Sequence, residues 1–129
     1  MAIKRFDHIA INASDIAGSK AFYCGILGLC AGESVDMGNE ILHYLALPDK
    51  STIELFEHKD RKKYGGLEKK EGFVKHIAFN VDNIEELNRK LKQNNVKFEM
   101  ELCVLEPLKC RALLCFDPDD VIVELTEKI

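Results

Sequence analysis

The chain has 129 residues, 47% hydrophobic and 31% charged, a size and balance that fit one compact globular domain and exclude a disordered chain. Its 18 Lys and Arg against 22 Asp and Glu leave a formal net charge of −4, which offers no long-range attraction to a polyanion, so nucleic acid is not an expected partner. Apolar runs are only a few residues long, and Met1 is followed by Ala2-Ile3-Lys4-Arg5. Neither a membrane span nor an export signal is therefore expected, and the cytoplasm is the expected location.

Residues 5–13 alternate polar and apolar in strand fashion, and Ser14 or Asp15 stands where a residue can cap a helix reaching about Leu27. Gly28 follows as a left-handed stop. Three further strands are predicted over about 29–35, 40–48 and 52–57, with Asp49-Lys50-Ser51 turning between the last two. Residues 58–72 carry Gly65-Gly66 and many charges and read as a linker. Lys59, Arg61, Lys62, Lys63, Lys69 and Lys70 cluster there among Asp60, Glu68 and Glu71, a mixture expected of a solvated face rather than of an anion site.

The order then repeats. A strand is predicted over 74–81 and a helix over about 83–94, opened by Asp82 with Glu85 three residues on and carrying Ile84, Leu87 and Leu91 on one face. Asn94-Asn95 ends that helix, and strands follow over 96–104, 110–116 and 121–126. Glu106-Pro107-Leu108 and Asp117-Pro118-Asp119-Asp120 separate them as turns. Each half reads β-α-β-β-β, an α+β arrangement. A four-stranded sheet with one helix covers only one of its faces, so the halves (about 3–57 and 73–129) are expected to be two modules of one domain.

Five cysteines, Cys24, Cys30, Cys103, Cys110 and Cys115, make an odd number without Cys-x-x-Cys spacing. Reduced, buried thiols packing as small hydrophobes are expected, and nothing in the spacing gathers Cys103, Cys110 and Cys115 around a metal.

The repeat extends to chemistry. His8-Ile9-Ala10-Ile11-Asn12 recurs as His76-Ile77-Ala78-Phe79-Asn80, and Ile53-Glu54-Leu55 recurs as Val123-Glu124-Leu125. The separations are 76 − 8 = 68 and 124 − 54 = 70 residues, a difference that loop variation accounts for. Strand alternation puts His8, Ala10 and Asn12 opposite Ile9, Ile11 and Ala13, and the same parity holds for His76, Glu54 and Glu124. All four are thus predicted on the helix-free face.

If that face curls into a cup, its two carboxylates lie partly out of water and repel each other unless a cation compensates them. Two neutral imidazoles and two carboxylates give a divalent metal a neutral shell with positions left for water or substrate. Ni, Zn, Co, Mn and Fe all suit such a set. A single strand histidine or a single Ile-Glu-Leu is more often an ordinary hydrogen-bonded or edge residue; the repetition of the pair is what points to a metal. His43 and His58 have no counterpart in the second half and are expected to be ordinary hydrogen-bonded residues, with His58 near enough in sequence to Glu54 to support it.

His-Ile-Ala-x-Asn opening a β-α-β-β-β unit, Phe22-Tyr23 followed by Leu27-Gly28 closing its helix, and Asp117-Pro118-Asp119 with Ile122-Val123-Glu124-Leu125 near the end resemble the vicinal oxygen chelate superfamily. Glyoxalase I-like proteins are the members most resembled. The resemblance implies paired modules forming an open barrel-like cup, a homodimer, and one divalent metal held by His8, Glu54, His76 and Glu124. It further implies a lyase or isomerase acting on a small oxygen-chelating substrate, such as a 2-oxoaldehyde hemithioacetal, through a metal-stabilised enediolate. Glu124, with Glu54 as its near-symmetric partner, is the implied catalytic base.

The alternatives within that resemblance are an extradiol-type dioxygenase, an epimerase, a thiol transferase, or a non-catalytic small-molecule-binding resistance protein similar to bleomycin resistance proteins. Glutathione-using glyoxalases carry Arg four residues after the first His and Asn near the end of the following Glu strand, where this chain has Asn12 and His58. The thiol is thereby left open. The family's Asp-Pro-x-Gly turn here reads Asp117-Pro118-Asp119-Asp120, a change to a turn rather than to a ligand.

Overall fold

The computed structural model describes residues 2, 4–60 and 74–129. The linker expected over 58–72 lies outside the described residues from Arg61 on, as do Gly65-Gly66 and all of its basic cluster but Lys59. The chain divides into two compact units, Met1–Leu67 and Glu68–Ile129. No described helix is long and apolar enough to cross a membrane.

In the first unit β1 (His8–Ala13) leads into α1 (Ile16–Lys20), which continues as a π-helical stretch over Ala21–Ile26. Then come β2 (Cys30–Asp36), β3 (Glu40–Ala46) and β4 (Thr52–His58). The strands form one mixed sheet in the order β1-β4-β3-β2, with β1 parallel to β4 and the other neighbours antiparallel. Asp15 holds the helix N-cap position with extended backbone, and its side chain makes no capping bond. At the other end Leu27 N donates to Phe22 O at 3.0 Å and Leu29 N to Tyr23 O at 2.9 Å, bonds wider than the α-helical i→i−4. Gly28 takes φ +84°, the left-handed stop expected of it.

The second unit copies this order with β5 (Ile77–Asn80), α2 (Ile84–Gln93), β6 (Phe98–Leu105), β7 (Cys110–Phe116) and β8 (Ile122–Lys128). Its sheet runs β5-β8-β7-β6, again with only the first pair parallel. The β-α-β-β-β reading therefore holds in both halves, with shifts of a few residues at element ends. Glu106–Leu108 forms a single 3-10 turn.

The cap of α2 falls one residue later than the sequence reading placed it. Asn83, not Asp82, accepts from Glu86 N at 3.2 Å, and its side-chain Nδ2 donates to Glu86 Oε2 at 3.3 Å. Asn83→Ala is expected to cost about 0.5–2 kcal/mol, and Asp82→Ala almost nothing. Thermal unfolding followed by far-ultraviolet circular dichroism separates the two variants.

Burial follows strand parity. On the helix-bearing face of the first unit Ile11, Ala13, Leu45, Ile53 and Leu55 are buried with Phe22 and Tyr23, whose rings meet edge to face at 4.9 Å. In the second, Val123, Leu125, Leu113 and Cys115 are buried with Ile84 and Leu91 of α2. At 25 cal/mol per Å² of buried apolar surface, each such large side chain stabilises its unit by roughly 1.5–3 kcal/mol.

The same face carries one equivalent carboxylate in each unit, Glu57 and Glu127, and 127 − 57 = 70. Glu57 Oε1 lies 3.3 Å from His43 Nε2, and His43 Nδ1 lies 3.0 Å from Ser34 Oγ. Glu127 is instead paired with Arg111, which also reaches Glu85 of α2 at 2.7 Å. His43 is thus a hydrogen-bonded, buried residue, as expected of a histidine without a repeat partner.

All five cysteines are free. Cys110 and Cys115 are buried, and loss of hydration, with the nearby Asp117 charge, pushes the Cys115 thiol up to about 12. Cys30 departs from the expected burial, because β2 is an edge strand exposed along its whole length.

Candidate functional site

Parity decides which side chains share the helix-free face. In parallel register Ala10 faces Glu54 and Asn12 faces Phe56, so His8, Ala10 and Asn12 lie on the side of Glu54, away from Ile53 and Leu55. His8 opens β1 and its Nε2 lies 2.9 Å from Glu54 Oε2. In the second unit Ala78 faces Glu124, and His76, immediately before β5, places Nε2 2.7 Å from Glu124 Oε2. The sequence reading paired these residues 46 and 48 positions apart, and each unit joins its own histidine to its own glutamate.

Both glutamates are largely withdrawn from water, with side-chain exposures of 10% for Glu54 and 14% for Glu124. Withdrawing a carboxylate to that extent costs free energy unless a cation or donors compensate it. In the first unit His8 stands between two carboxylates, because its Nδ1 also lies 2.7 Å from Asp7 Oδ2. The hydrogen bond from His8, helped by Arg5 at 3.1 Å, holds the Asp7 carboxyl below the usual carboxylate range. A carboxylate only accepts, so one imidazole serves both neighbours when both ring nitrogens carry hydrogen or when a cation replaces one of those protons.

That donor set fits a divalent cation. Two ligands at adjacent corners around one ion, each about 2.0–2.2 Å from it, stand roughly 3 Å apart, the separation of the nitrogen and oxygen in each pair. Imidazole nitrogen with carboxylate oxygen suits Ni, Zn, Co, Mn and Fe(II). Among the described residues, no group of three or more His, Cys, Asp or Glu side chains is gathered to hold an ion. Each unit by itself thus supplies two donors.

Further along the same face, Asn12 Oδ1 lies 2.7 Å from His58 Nε2, and His58 Nδ1 lies 3.3 Å from Glu40 Oε2. Asn12 and His58 each stand four residues beyond a proposed ligand, about 13 Å along an extended strand. The sequence reading singled out these two positions separately; their contact across 46 residues was not visible in it. Asp7 was missed altogether, since one aspartate beside a histidine carries no periodic signal. At the second turn Asp117 Oδ1 accepts from Asp119 N and Val121 N at 2.7 and 2.9 Å, and Asp120 takes φ +64° where glycine is usual. The substitution at Asp120 therefore leaves the turn in place, with backbone strain that aspartate tolerates better than most residues.

The paired-module topology and the duplicated His-Glu pairs define a class, and comparison with known proteins agrees with it. Residues 5–125 match the family model described as Glyoxalase/Bleomycin resistance protein/Dioxygenase superfamily. The chain belongs to this superfamily, the vicinal oxygen chelate proteins. It is 35% identical to the uncharacterized protein YaeR of Escherichia coli K12, with 99% of each chain covered. Among solved structures it is similar to a glyoxalase/dioxygenase from Nostoc punctiforme, at TM-score 0.82 and 21% identity over 99% of this chain and 93% of that one. It is also similar to TnmS3, an antibiotic binding protein from Streptomyces sp. CB03234, at TM-score 0.76 and 15% identity over 100% and 99% of the two chains.

Proposed function

We propose that this protein is a metal-dependent lyase or isomerase of glyoxalase I type, with His8, Glu54, His76 and Glu124 contributing ligands to one divalent cation. The observation that carries the reading is the recurrence, at equivalent places in two units, of an imidazole nitrogen within 3 Å of a sheltered carboxylate oxygen, at 2.9 and 2.7 Å. Membership of a superfamily that includes glyoxalases and dioxygenases supports it. The four ligands come together either within one chain or across a homodimer, and the homodimer is the proposed assembly.

A bound divalent cation supplies Lewis-acid stabilisation of negative charge developing on vicinal substrate oxygens. The residues of the chain do the rest. Glu124, or Glu54 as its counterpart, removes the proton from the carbon next to a carbonyl and returns it to the adjacent carbon, which completes an isomerisation. The two glutamates are sheltered enough that bulk water does not compete freely for that proton. A 2-oxoaldehyde hemithioacetal has the required neighbouring oxygens and the acidic carbon. Asn12 and His58 already engage each other, so the thiol part of the substrate is proposed to be one other than glutathione.

The test is to strip the purified protein, reload it with Ni(II), Zn(II), Co(II), Mn(II) or Fe(II), and follow loss of methylglyoxal hemithioacetals of glutathione and of other cellular thiols. Turnover with at least one metal and thiol is the expected result. Metal uptake without turnover on any adduct overturns the assignment. Oxygen uptake with catechols would then identify a dioxygenase. Tight small-molecule binding unaffected by chelators or by His76→Ala would identify a non-catalytic binding protein; TnmS3 is described as an antibiotic binding protein.

A further inference from the structure

The two histidines are equivalent by repeat but not by surroundings. The residue before each of them is Asp7 in the first unit and Lys75 in the second, and 75 − 7 = 68, the spacing of the histidines themselves. Asp7 Oδ2 accepts from His8 Nδ1 at 2.7 Å. His76 Nδ1, by contrast, is buried and has no hydrogen-bond partner among the described residues. One imidazole is held at its far nitrogen by a carboxylate, and among the described residues the other is held through Glu124 alone.

We propose that Asp7 is a positioning residue that fixes His8 with hydrogen on Nδ1 and leaves the Nε2 lone pair directed at the cation, making the first unit the anchoring half of the metal centre. This rests on the proposed function above, since it assumes that His8 is a ligand. A carboxylate that accepts from the outer nitrogen of a ligating imidazole sets its tautomer, restricts its ring orientation and raises its basicity toward the metal. Asp7 is itself steered by Arg5, 3.1 Å away, so its carboxylate is not free to turn to solvent without losing a second contact. Lys75 offers no acceptor, so His76 receives no such support from its neighbour in sequence.

The experiment uses the full chain with Asp7→Ala, Asp7→Glu, Lys75→Ala and His8→Ala. Asp7 and Lys75 are exposed, so their variants are expected to fold as the wild type does. Affinity for Ni(II) and Zn(II) is measured by competition with a chromophoric chelator. In the Zn(II)-loaded protein the His8 Nδ1 hydrogen is observed in long-range proton–nitrogen correlation spectra, and its exchange with solvent is timed. The expected result is about a 10-fold loss of metal affinity in Asp7→Ala, the lower end of the usual range for such partners because the contact is solvent-exposed. Asp7→Glu recovers part of the loss, Lys75→Ala changes nothing, and the His8 Nδ1 hydrogen of the Zn(II)-loaded protein exchanges faster in Asp7→Ala.

Unchanged affinity and unchanged Nδ1 hydrogen exchange in Asp7→Ala overturn the proposal while leaving the metal centre intact, provided that His8→Ala abolishes binding. If the wild type takes up no metal, or His8→Ala binds it as well as the wild type, the functional reading fails and this inference fails with it.

Discussion

Replacing Glu124 by glutamine is expected to lower hemithioacetal turnover by about 10²–10⁴-fold, the usual contribution of a positioned general base. Glutamine keeps the shape and one oxygen donor of the side chain but does not accept a proton near neutral pH. Glu54→Gln is expected to lower turnover less. Glu54 belongs to the pair whose histidine is tied to Asp7, whereas the histidine paired with Glu124 has no hydrogen-bond partner at its outer nitrogen among the described residues, so Glu124 is expected to be the freer of the two to alternate between ligand and base. Initial rates at saturating metal, with metal content measured in parallel, decide the matter. Wild-type turnover in metal-loaded Glu124→Gln would remove Glu124 from the chemistry.

Leu55→Ala and Leu125→Ala are each expected to destabilise the protein by about 2–5 kcal/mol, the range for truncating a fully buried leucine and leaving part of its cavity unfilled. Leu55 is 0% and Leu125 1% exposed, and they stand 125 − 55 = 70 residues apart, each one position beyond a proposed ligand glutamate. Against a typical domain stability of about 5–15 kcal/mol, either loss is large. The chain has no tryptophan, so urea denaturation is best followed by far-ultraviolet circular dichroism. Val104→Ala, at a side chain 47% exposed, serves as the surface control, with a change within about 0.5 kcal/mol. A leucine variant that unfolds at the wild-type midpoint would show that the burial assigned to it is wrong.

Much of this architecture is legible in the sequence because it is written twice. Alternation in His8–Ala13 and Ile77–Asn80 fixes which side of each sheet is apolar, and the second copy confirms the first. Glycine at 28 marks a left-handed turn because few other residues take that conformation cheaply, and the structure has φ +84° there. The pairing of each histidine with its glutamate follows from parity and parallel register, both of which are periodic properties.

What escaped the sequence is local or non-periodic. The cap of α2 fell at Asn83 because Asp82 with Glu85 and Asn83 with Glu86 satisfy the same spacing rule, and only backbone geometry chooses between them. The π-helical stretch over Ala21–Ile26 leaves no distinctive spacing of apolar residues. Asp7 on His8 depends on one rotamer, and the Asn12–His58 contact depends on strands that the chain brings side by side from 46 residues apart.

The carboxylates on the helix-bearing faces set the two units apart. Glu57 and Glu127 occupy equivalent positions in the two units, yet the first meets the imidazole of His43 on β3 and the second Arg111 on β7, a residue that also clasps Glu85 of the covering helix. The halves thus match where His and Glu meet and differ on their helix-bearing faces. Each carboxylate finds its partner inside its own half, so a chain built from two copies of either half would keep every charge pair of that half together with its His-Glu pair.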